Sequence, residues 1–186
     1  MITDLLKQFV SLEKTDKREA YRLLNHEIKD WHAEQFPHNH IKCARMRYNY
    51  SPEIPYISIL SPLITNSPTR GFYIETFFDR VRARIVLAMT VGYLGIRNQV
   101  STDQDAYTIA EKRVKVLQSK LPRSLTSEYH TEMKLGAQNP LGKGYAHCTI
   151  LCQDFQIETI TDSLYTEKLH KLYQIYEILV GGEITY

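Results

Sequence analysis

The sequence predicts an α+β fold with a central twisted, largely antiparallel sheet flanked by N-terminal and C-terminal helices. Two observations predict it. Apolar residues have helical spacing at both ends of the chain, and β-like runs joined by short links lie between them. Short links favour antiparallel neighbours, because parallel strands need a long crossover connection.

The first 39 residues carry the spacing of amphipathic helices. Apolar side chains recur at positions 2, 5, 6, 9 and 10, and again from Ala20 to Trp31, before Pro37 stops the pattern. Between the two stretches, Asp16 and Glu19 have the spacing of a capping box. We expect two helices, or one broken helix, before any strand.

The β-like runs follow at residues 41–48, 54–60, 71–79 and 82–90, with Ser-Pro sequences in the first two links. A helix is expected at 103–119, then a strand near 128–135, a Gly-rich turn at 141–144 and a strand at 145–152. The final helix, 163–180, is the clearest, and Gly181 with Gly182 is expected to end it.

The 186 residues, 43% of them hydrophobic, suffice for one domain with its own core, and the sequence has no internal repeat or linker. We divide this single domain, 1–186, into three parts. They are a helical lead-in over 1–39, a sheet region with one inserted helix over 40–160, and a C-terminal helix over 161–182.

The chain is expected to be cytoplasmic. No run approaches the roughly 18 apolar residues of a membrane span, and the first ten residues lack a signal-peptide pattern. The three cysteines, Cys43, Cys148 and Cys152, are an odd number and are interpreted as reduced thiols. Strand alternation predicts that 148 and 152 share one face.

The formal net charge of +2 excludes a strongly basic polyelectrolyte and an acidic disordered segment, but it hides an uneven distribution. Residues 40–149 hold 15 basic and 8 acidic side chains, a balance of +7, whereas 1–39 has −1 and 150–186 has −4. The 13 tyrosines add rings on which bases stack. The centre of the chain is therefore a candidate nucleic-acid surface.

Arginines concentrate at two places in this centre. Arg45 and Arg47 occur without a nearby acid, and Arg80, Arg82 and Arg84 alternate through a predicted hairpin. Alternation would place the second group on one face, as a row of guanidinium groups suited to phosphate contacts. The alternative is an ordinary solvated strand face, and three arginines alone do not decide between the two.

The sequence has no P-loop, no Gly-x-Ser-x-Gly elbow and no His-Glu-x-x-His motif. Glu132-Met-Lys134 has the Glu-x-Lys form that some nucleases use to hold magnesium, without a partner Asp at a strand end. A loose metal-like cluster has spacing wider than zinc sites usually have, and whether it binds metal stays open: His32, His38, His40 and Cys43. We expect no cofactor and no catalytic residue.

Two segments carry a family resemblance: Ile54-Pro-Tyr-Ile-Ser-Ile-Leu60, then a loop and Arg70-Gly-Phe-Tyr-Ile-Glu-Thr-Phe-Phe78. In order and spacing they resemble the McrB-like N-terminal domain family, with its Pro-Trp-hydrophobic strand, short loop and Gly-aromatic-Tyr opening the next strand. Leu141-Gly-Lys-Gly-Tyr145 and the closing amphipathic helix are similar to its C-terminal part. The resemblance covers about residues 40–180.

This resemblance implies a DNA-recognition domain of a modification-dependent restriction system, which serves in phage defence. In that family, a GTP-hydrolysing AAA+ motor normally follows the domain and recruits a separate nuclease. The best-known members flip a methylated cytosine, 5-methylcytosine, out of double-stranded DNA into an aromatic pocket. Other members read other modifications or a fixed sequence.

The family's pocket residues are carried over position by position. Its strand Trp corresponds to Tyr56, its pocket Tyr to Tyr73, and an aliphatic pocket residue to Phe77. Its loop aromatic, which fills the gap left by the flipped base, corresponds to Tyr48. One more pocket tyrosine should lie near 139–141, where the sequence has no aromatic residue.

Strand alternation places Tyr73, Glu75 and Phe77 on one face, where Glu75 could accept a hydrogen bond from an exocyclic amine of the base. The alternative for the two rings is core packing beneath a helix. The remaining expected contacts are intercalation or loop contacts from Tyr48, Asn49 and Tyr50, and backbone contacts from Arg45, Arg47, Arg70, Arg80, Arg82 and Arg84.

Other functions stay open. One is a protein-interaction adaptor that docks a motor or partner subunit through its tyrosine-rich face. Others are a site-specific DNA reader that does not flip bases and a metal-dependent nuclease that uses Glu132. The base that is read, the oligomeric state and the extent of the natural chain beyond Tyr186 are not determined by sequence.

Overall fold

The computed structural model describes residues 1–44, 46 and 52–184. Its strands are β1 (His40–Cys43), β2 (Tyr56–Leu60), β3 (Phe72–Asp79), β4 (Arg84–Val91) and β5 (Thr149–Gln156). Its α-helices are α1 (Ile2–Thr15), α2 (Lys17–Leu23), α3 (Lys29–Gln35), α4 (Tyr93–Arg97), α5 (Asp103–Ser119), α6 (Arg123–Thr126), α7 (Pro140–His147) and α8 (Asp162–Ile184). A π-helical turn, Leu24–Ile28, joins α2 to α3.

Helices precede the first strand, as predicted. Asp16 separates α1 from α2, and its carboxylate accepts hydrogen bonds of 3.1 Å from the backbone N–H groups of Arg18 and Glu19. This satisfies two of the donors that the start of a helix leaves unpaired. The apolar stripe of α1, with Leu6 and Phe9, is buried.

The five strands form one sheet in the order β1-β2-β3-β4-β5, and every neighbouring pair is antiparallel. The predicted fold class is therefore confirmed. β4 begins at Arg84, two residues later than predicted, because residues 80–83 form the turn of the hairpin. Ala83 has a φ of 49° there, a left-handed conformation that ends regular strand geometry.

Alternation along the strands gives the sheet two different faces. The first face contributes to the larger core, under α1, α5 and α8, through residues that include Phe72, Ile74, Phe78, Ile85 and Leu87. The second face carries Tyr56, Ser58, Tyr73, Glu75, Phe77, Val86, Ala88 and Cys152, some of which form a smaller cluster with Met133 and Ala137. The second face positions the candidate site.

The predicted strand near 128–135 is wrong. Only His130 pairs with a strand, through a bridge to Cys152, and residues 132–138 run without regular structure across the second face. Met133 and Ala137 bury their side chains in the smaller cluster. The apolar alternation at 133, 135 and 137 therefore reflects packing against a sheet and not membership of it.

The predicted Gly-rich turn at 141–144 is also wrong, since these residues form the middle of α7. Asn139 caps this helix by accepting a 2.7 Å hydrogen bond from the Gly142 N–H, and Pro140 is its first residue. A Cβ on Gly142 would collide with Ala137, and one on Gly144 with the ring of Tyr93. These glycines permit close helix packing.

Three further expectations are corrected. The sheet region holds α4, α6 and α7 besides the single expected helix, α5. Cys148 lies at the end of α7 and contributes to the larger core while Cys152 contributes to the smaller, so the two do not share a face; both are free thiols, as is Cys43. The last helix continues through Gly181 and Gly182, neither of which has positive φ.

Among the helices of the described residues, none combines the length and the apolar character needed to cross a bilayer.

Candidate nucleic-acid interface

Three aromatic rings from three separate elements meet on the second face. The ring of Phe77 lies 5.0 Å from that of Tyr145 and 6.3 Å from that of Tyr56, and the two tyrosine rings are 6.3 Å apart. Phe77 is fully buried, whereas Tyr56 and Tyr145 are half-buried. The three pairs have the edge-to-face or tilted geometry that aromatic rings prefer. We call these three residues the aromatic cluster.

Tyr145 was not predicted as a site residue. The resemblance called for another pocket tyrosine near 139–141, and the structure brings Tyr145 into the cluster from one helical turn further along α7. The Gly-Lys-Gly-Tyr sequence was read as a turn and a strand. Asn139 and Pro140, an N-cap residue and a favoured first helical residue, were the signal that a helix begins there.

Glu75 lies on the same face and is 1% exposed. Its two carboxyl oxygens accept hydrogen bonds from Ser58 Oγ (2.9 Å) and Thr90 Oγ1 (3.1 Å). Burial raises the pKa of Glu75 to about 8, and the two hydroxyl groups oppose that rise. The carboxyl group is therefore mainly neutral at pH 7. In this protonated form it can donate one hydrogen bond as well as accept hydrogen bonds.

Tyr73, predicted to line the pocket, is 1% exposed, and its hydroxyl donates to the Pro68 carbonyl oxygen. Burial raises the pKa of Tyr73 well above its usual value, with the charge of Glu75 as a smaller cause. Tyr73 thus anchors the loop before β3 and stands behind the cluster. Tyr56, with its pKa also raised by burial, is closer to the surface.

The three hairpin arginines do not form a common row. Arg80 makes an ion pair with Glu13 of α1 and donates 2.8 Å hydrogen bonds to the carbonyl oxygens of Pro52 and Glu53. Arg82 and Arg84 point instead toward the irregular segment between α6 and α7. Both donate hydrogen bonds to the Lys134 carbonyl oxygen, at 2.8 and 2.6 Å. Alternation fails because residues 80–83 are a turn.

Asp79 organises that second pair of arginines. It is fully buried, and its carboxylate lies 3.2 Å from the Arg84 guanidinium, 3.7 Å from that of Arg82 and 3.1 Å from the Gly136 N–H. These contacts fasten residues 134–136 to the hairpin. The side chain of Arg82 nevertheless stays 45% exposed.

The remaining predicted contacts are placed as follows. Arg70 is exposed on the loop before β3. The predicted loop and backbone residues Arg45, Arg47, Tyr48, Asn49 and Tyr50 lie outside the described residues.

A cavity of about 480 Å³ adjoins the second face between β5 and residues 129–134. It brings Asp154 near Glu132 and Lys134, the residues of the Glu-x-Lys motif. Arg84 Nη1 lies 2.7 Å from Asp154 Oδ2, so a cation of the chain already pairs with this carboxylate. Within residues 1–44, 46 and 52–184, no group of three or more His, Cys, Asp or Glu side chains could hold a metal ion.

His32 of the metal-like cluster lies in the larger core. Its ring nitrogens contact the Ile28 carbonyl oxygen at 2.7 Å and the Tyr165 hydroxyl at 2.9 Å. Burial lowers its pKa to about 4. Both nitrogens are thus used within the fold, while His38 and His40 lie at the surface.

Comparison with known families identifies the family of the chain. A family model described as "MrcB-like, N-terminal domain" matches residues 49–181, which include β2 to β5, α4 to α7 and most of α8. No curated protein matches the chain. The match spans all three members of the aromatic cluster and most of the sequence, and on that basis the chain belongs to the McrB-like N-terminal domain family.

Proposed function

We propose that this chain is the DNA-binding specificity domain of a McrBC-like, modification-dependent restriction system. It reads a modified base, a methylated cytosine in the first instance, by base flipping. The observation that carries the proposal is the aromatic cluster: three rings from β2, β3 and α7 converge on one face, and two of them are half-buried. Base-flipping proteins hold the extruded base between such rings.

The energetics require a second set of contacts. Extruding a base costs a few kcal/mol, and stacking returns about 1–3 kcal/mol per base, so phosphate contacts must supply the rest. Arg70 and Arg82 have the exposed guanidinium groups for this, and Arg45 and Arg47 are proposed to join them. The Arg80 and Arg84 side chains are engaged in ion pairs with buried carboxylates.

Glu75 is proposed to read the edge of the base. Because Glu75 is 1% exposed, the proposal requires side chains of the second face to move aside when the base enters. Hydroxyl groups of Ser58 and Thr90 can rotate to satisfy either protonation state of the carboxyl group. The partners proposed for the whole system are an AAA+ GTPase motor and a nuclease subunit.

The test is duplex binding by fluorescence anisotropy with four otherwise identical duplexes. They contain cytosine, 5-methylcytosine, 5-hydroxymethylcytosine or 6-methyladenine at one position. Tyr56→Leu should lower affinity for the preferred duplex by about tenfold, because it removes one stacking surface. Tyr173→Leu, a half-buried tyrosine of α8, is the matched control and should bind as the wild type does.

The salt dependence of duplex binding distinguishes DNA binding from the alternative functions. If the chain binds DNA, its affinity should fall steeply with salt concentration, since contacts to DNA phosphates release bound counterions. Equal affinity for all four duplexes would overturn modified-base recognition and leave a reader that does not flip bases. No binding to any duplex at low salt would favour the protein-interaction adaptor.

A further inference from the structure

We infer that Glu13, Arg80 and Glu53 form a positioning chain that connects α1 to the base-reading rings, so that Arg80 supports the pocket from within and does not contact DNA phosphate. The inference rests on the proposed function and deepens it. Its basis is a series of side-chain contacts that runs without interruption from the N-terminal helix to α7.

The first link is the ion pair of Glu13 and Arg80. Glu13 lies in the last turn of α1 and is 1% exposed, and Arg80 Nη1 contacts its Oε2. A buried carboxylate is retained only where its charge is compensated, and among the described residues Arg80 is the cation at this carboxylate. The pair thereby orients the guanidinium group of Arg80 inward.

The second link runs from Arg80 to the backbone. Its Nη2 donates to two consecutive carbonyl oxygens, those of Pro52 and Glu53, at 2.8 Å each. These carbonyls belong to the segment that leads into β2, and Ile54 directly after it packs in the smaller cluster with Phe77. The guanidinium group therefore sets where the chain enters the strand that carries Tyr56.

The third link is the carboxylate of Glu53. It accepts hydrogen bonds from the backbone N–H groups of Gln138 (2.7 Å) and Asn139 (3.0 Å). Asn139 is the N-cap of α7, the helix that brings Tyr145 against Phe77. Glu53 thus ties the start of α7 to the entry of β2, and two of the three rings depend on one carboxylate.

Charge substitution distinguishes this role from phosphate contact. If Arg80 met phosphate, Glu13→Gln would free a cation and strengthen DNA binding, and Arg80→Gln would lower the salt slope of log K by about 0.9. In a positioning chain, both variants weaken base recognition in the same way and leave the salt slope unchanged. Glu19→Gln and Arg22→Gln, an exposed ion pair of α2, are the charge-matched controls.

The DNA experiment uses the duplex of the four that binds best, with 2-aminopurine placed beside the target base. The fluorescence of 2-aminopurine rises when the target base leaves the stack. We expect Glu13→Gln, Arg80→Gln and Glu53→Ala each to lower the preference for the modified duplex roughly two- to tenfold and to reduce the fluorescence rise. Glu53→Gln should recover part of it, because its amide oxygen still accepts from the two N–H groups. Wild-type behaviour of all three variants, or a smaller salt slope in Arg80→Gln, would overturn the positioning chain.

A second measurement needs no DNA. Amide hydrogen exchange over residues 136–147 should speed up severalfold in Glu13→Gln and Glu53→Ala, while α8 keeps wild-type protection, and Glu19→Gln should change neither. Unchanged exchange over 136–147 would contradict the chain even if no duplex is bound. Failure of the wild type to bind any duplex would instead reject the proposed function, so the two failures are distinguishable.

Discussion

The two faces of the sheet are built from the same strands but differ in what they bury. On the first face, strand residues pack against α1, α5 and α8 in one large apolar core. The strands place the uncharged Thr76 in it, and the buried carboxylate of Glu13 on α1 is paired with Arg80. His32, Tyr165 and Thr76 form a neutral network with 2.9 Å contacts on either side of the Tyr165 hydroxyl. This face holds the domain together.

The second face is covered by an irregular segment and a short helix, and it contains carboxyl groups where the first has hydroxyls and a neutral ring. Glu75 and Asp79, both on β3, are fully or almost fully buried beside the aromatic cluster and the arginines. Burying an acid costs stability unless it is neutralised or paired. The second face therefore depends more than the first on the pairing and protonation of acids that its own strands carry.

Removing Asp79 is the largest expected disruption of the second face. Asp79→Ala leaves the guanidinium group of Arg84 and the buried Gly136 N–H without their shared acceptor, at a cost of about 3–5 kcal/mol in unfolding free energy. Asp154→Ala removes a 39% exposed partner of the same arginine and should cost about 1 kcal/mol or less. Urea denaturation measures both, and equal losses would show that Asp79 is not the organising group.

The stability of the second face should also depend on pH, through Glu75. The pKa of Glu75 is raised from 4.5 to about 8 in the folded protein, so the unfolded chain ionises first and stability falls as pH rises between those values. Glu75→Gln cannot ionise, and relative to the wild type its unfolding free energy should gain roughly 4 kcal/mol between pH 5 and pH 9. Thermal or urea unfolding at the two pH values tests this. Parallel pH profiles of the two proteins would mean that Glu75 is ionised in the fold.

The contribution of His32, on the first face, changes with pH in the opposite direction. Because burial lowers the pKa of His32 to about 4, the unfolded chain takes up a proton that the folded protein does not, and stability falls as pH falls from 6.5 toward 4. Acid therefore weakens the first face, whereas alkali weakens the second.

The smallest expected effect on stability comes from Tyr145. Tyr145→Ala should cost about 1–2 kcal/mol in unfolding free energy, since the ring is only half-buried, yet lower DNA affinity by about 1–3 kcal/mol. Tyr173→Ala, at similar burial on α8, should cost similar stability with unchanged affinity. Calorimetry and anisotropy on the same samples would separate the two, and equal effects on affinity would place the site elsewhere.

Much of this architecture follows from local sequence patterns. The antiparallel sheet, the helical ends and the two faces of β3 were predictable, because short links and strict alternation are local signals. The family resemblance also stood on contiguous segments, and the match over residues 49–181 confirms it.

The site needed the tertiary structure. Tyr145 joins Phe77 and Tyr56 only because glycines 142 and 144 let α7 pack closely against Ala137 and Tyr93. A Gly-rich stretch read in isolation predicts a turn instead.

The arginines show the same division most clearly. Sequence alone determined that positive charge gathers between residues 40 and 149, and it determined which residues of β3 share a face. The fold decided the partners of the guanidinium groups: the distant Glu13 for Arg80, the distant Asp154 together with the nearby Asp79 for Arg84, and Asp79 for Arg82. Charge is a property of the residue, but whether that charge is available to a ligand depends on what the fold places within about 4 Å of it.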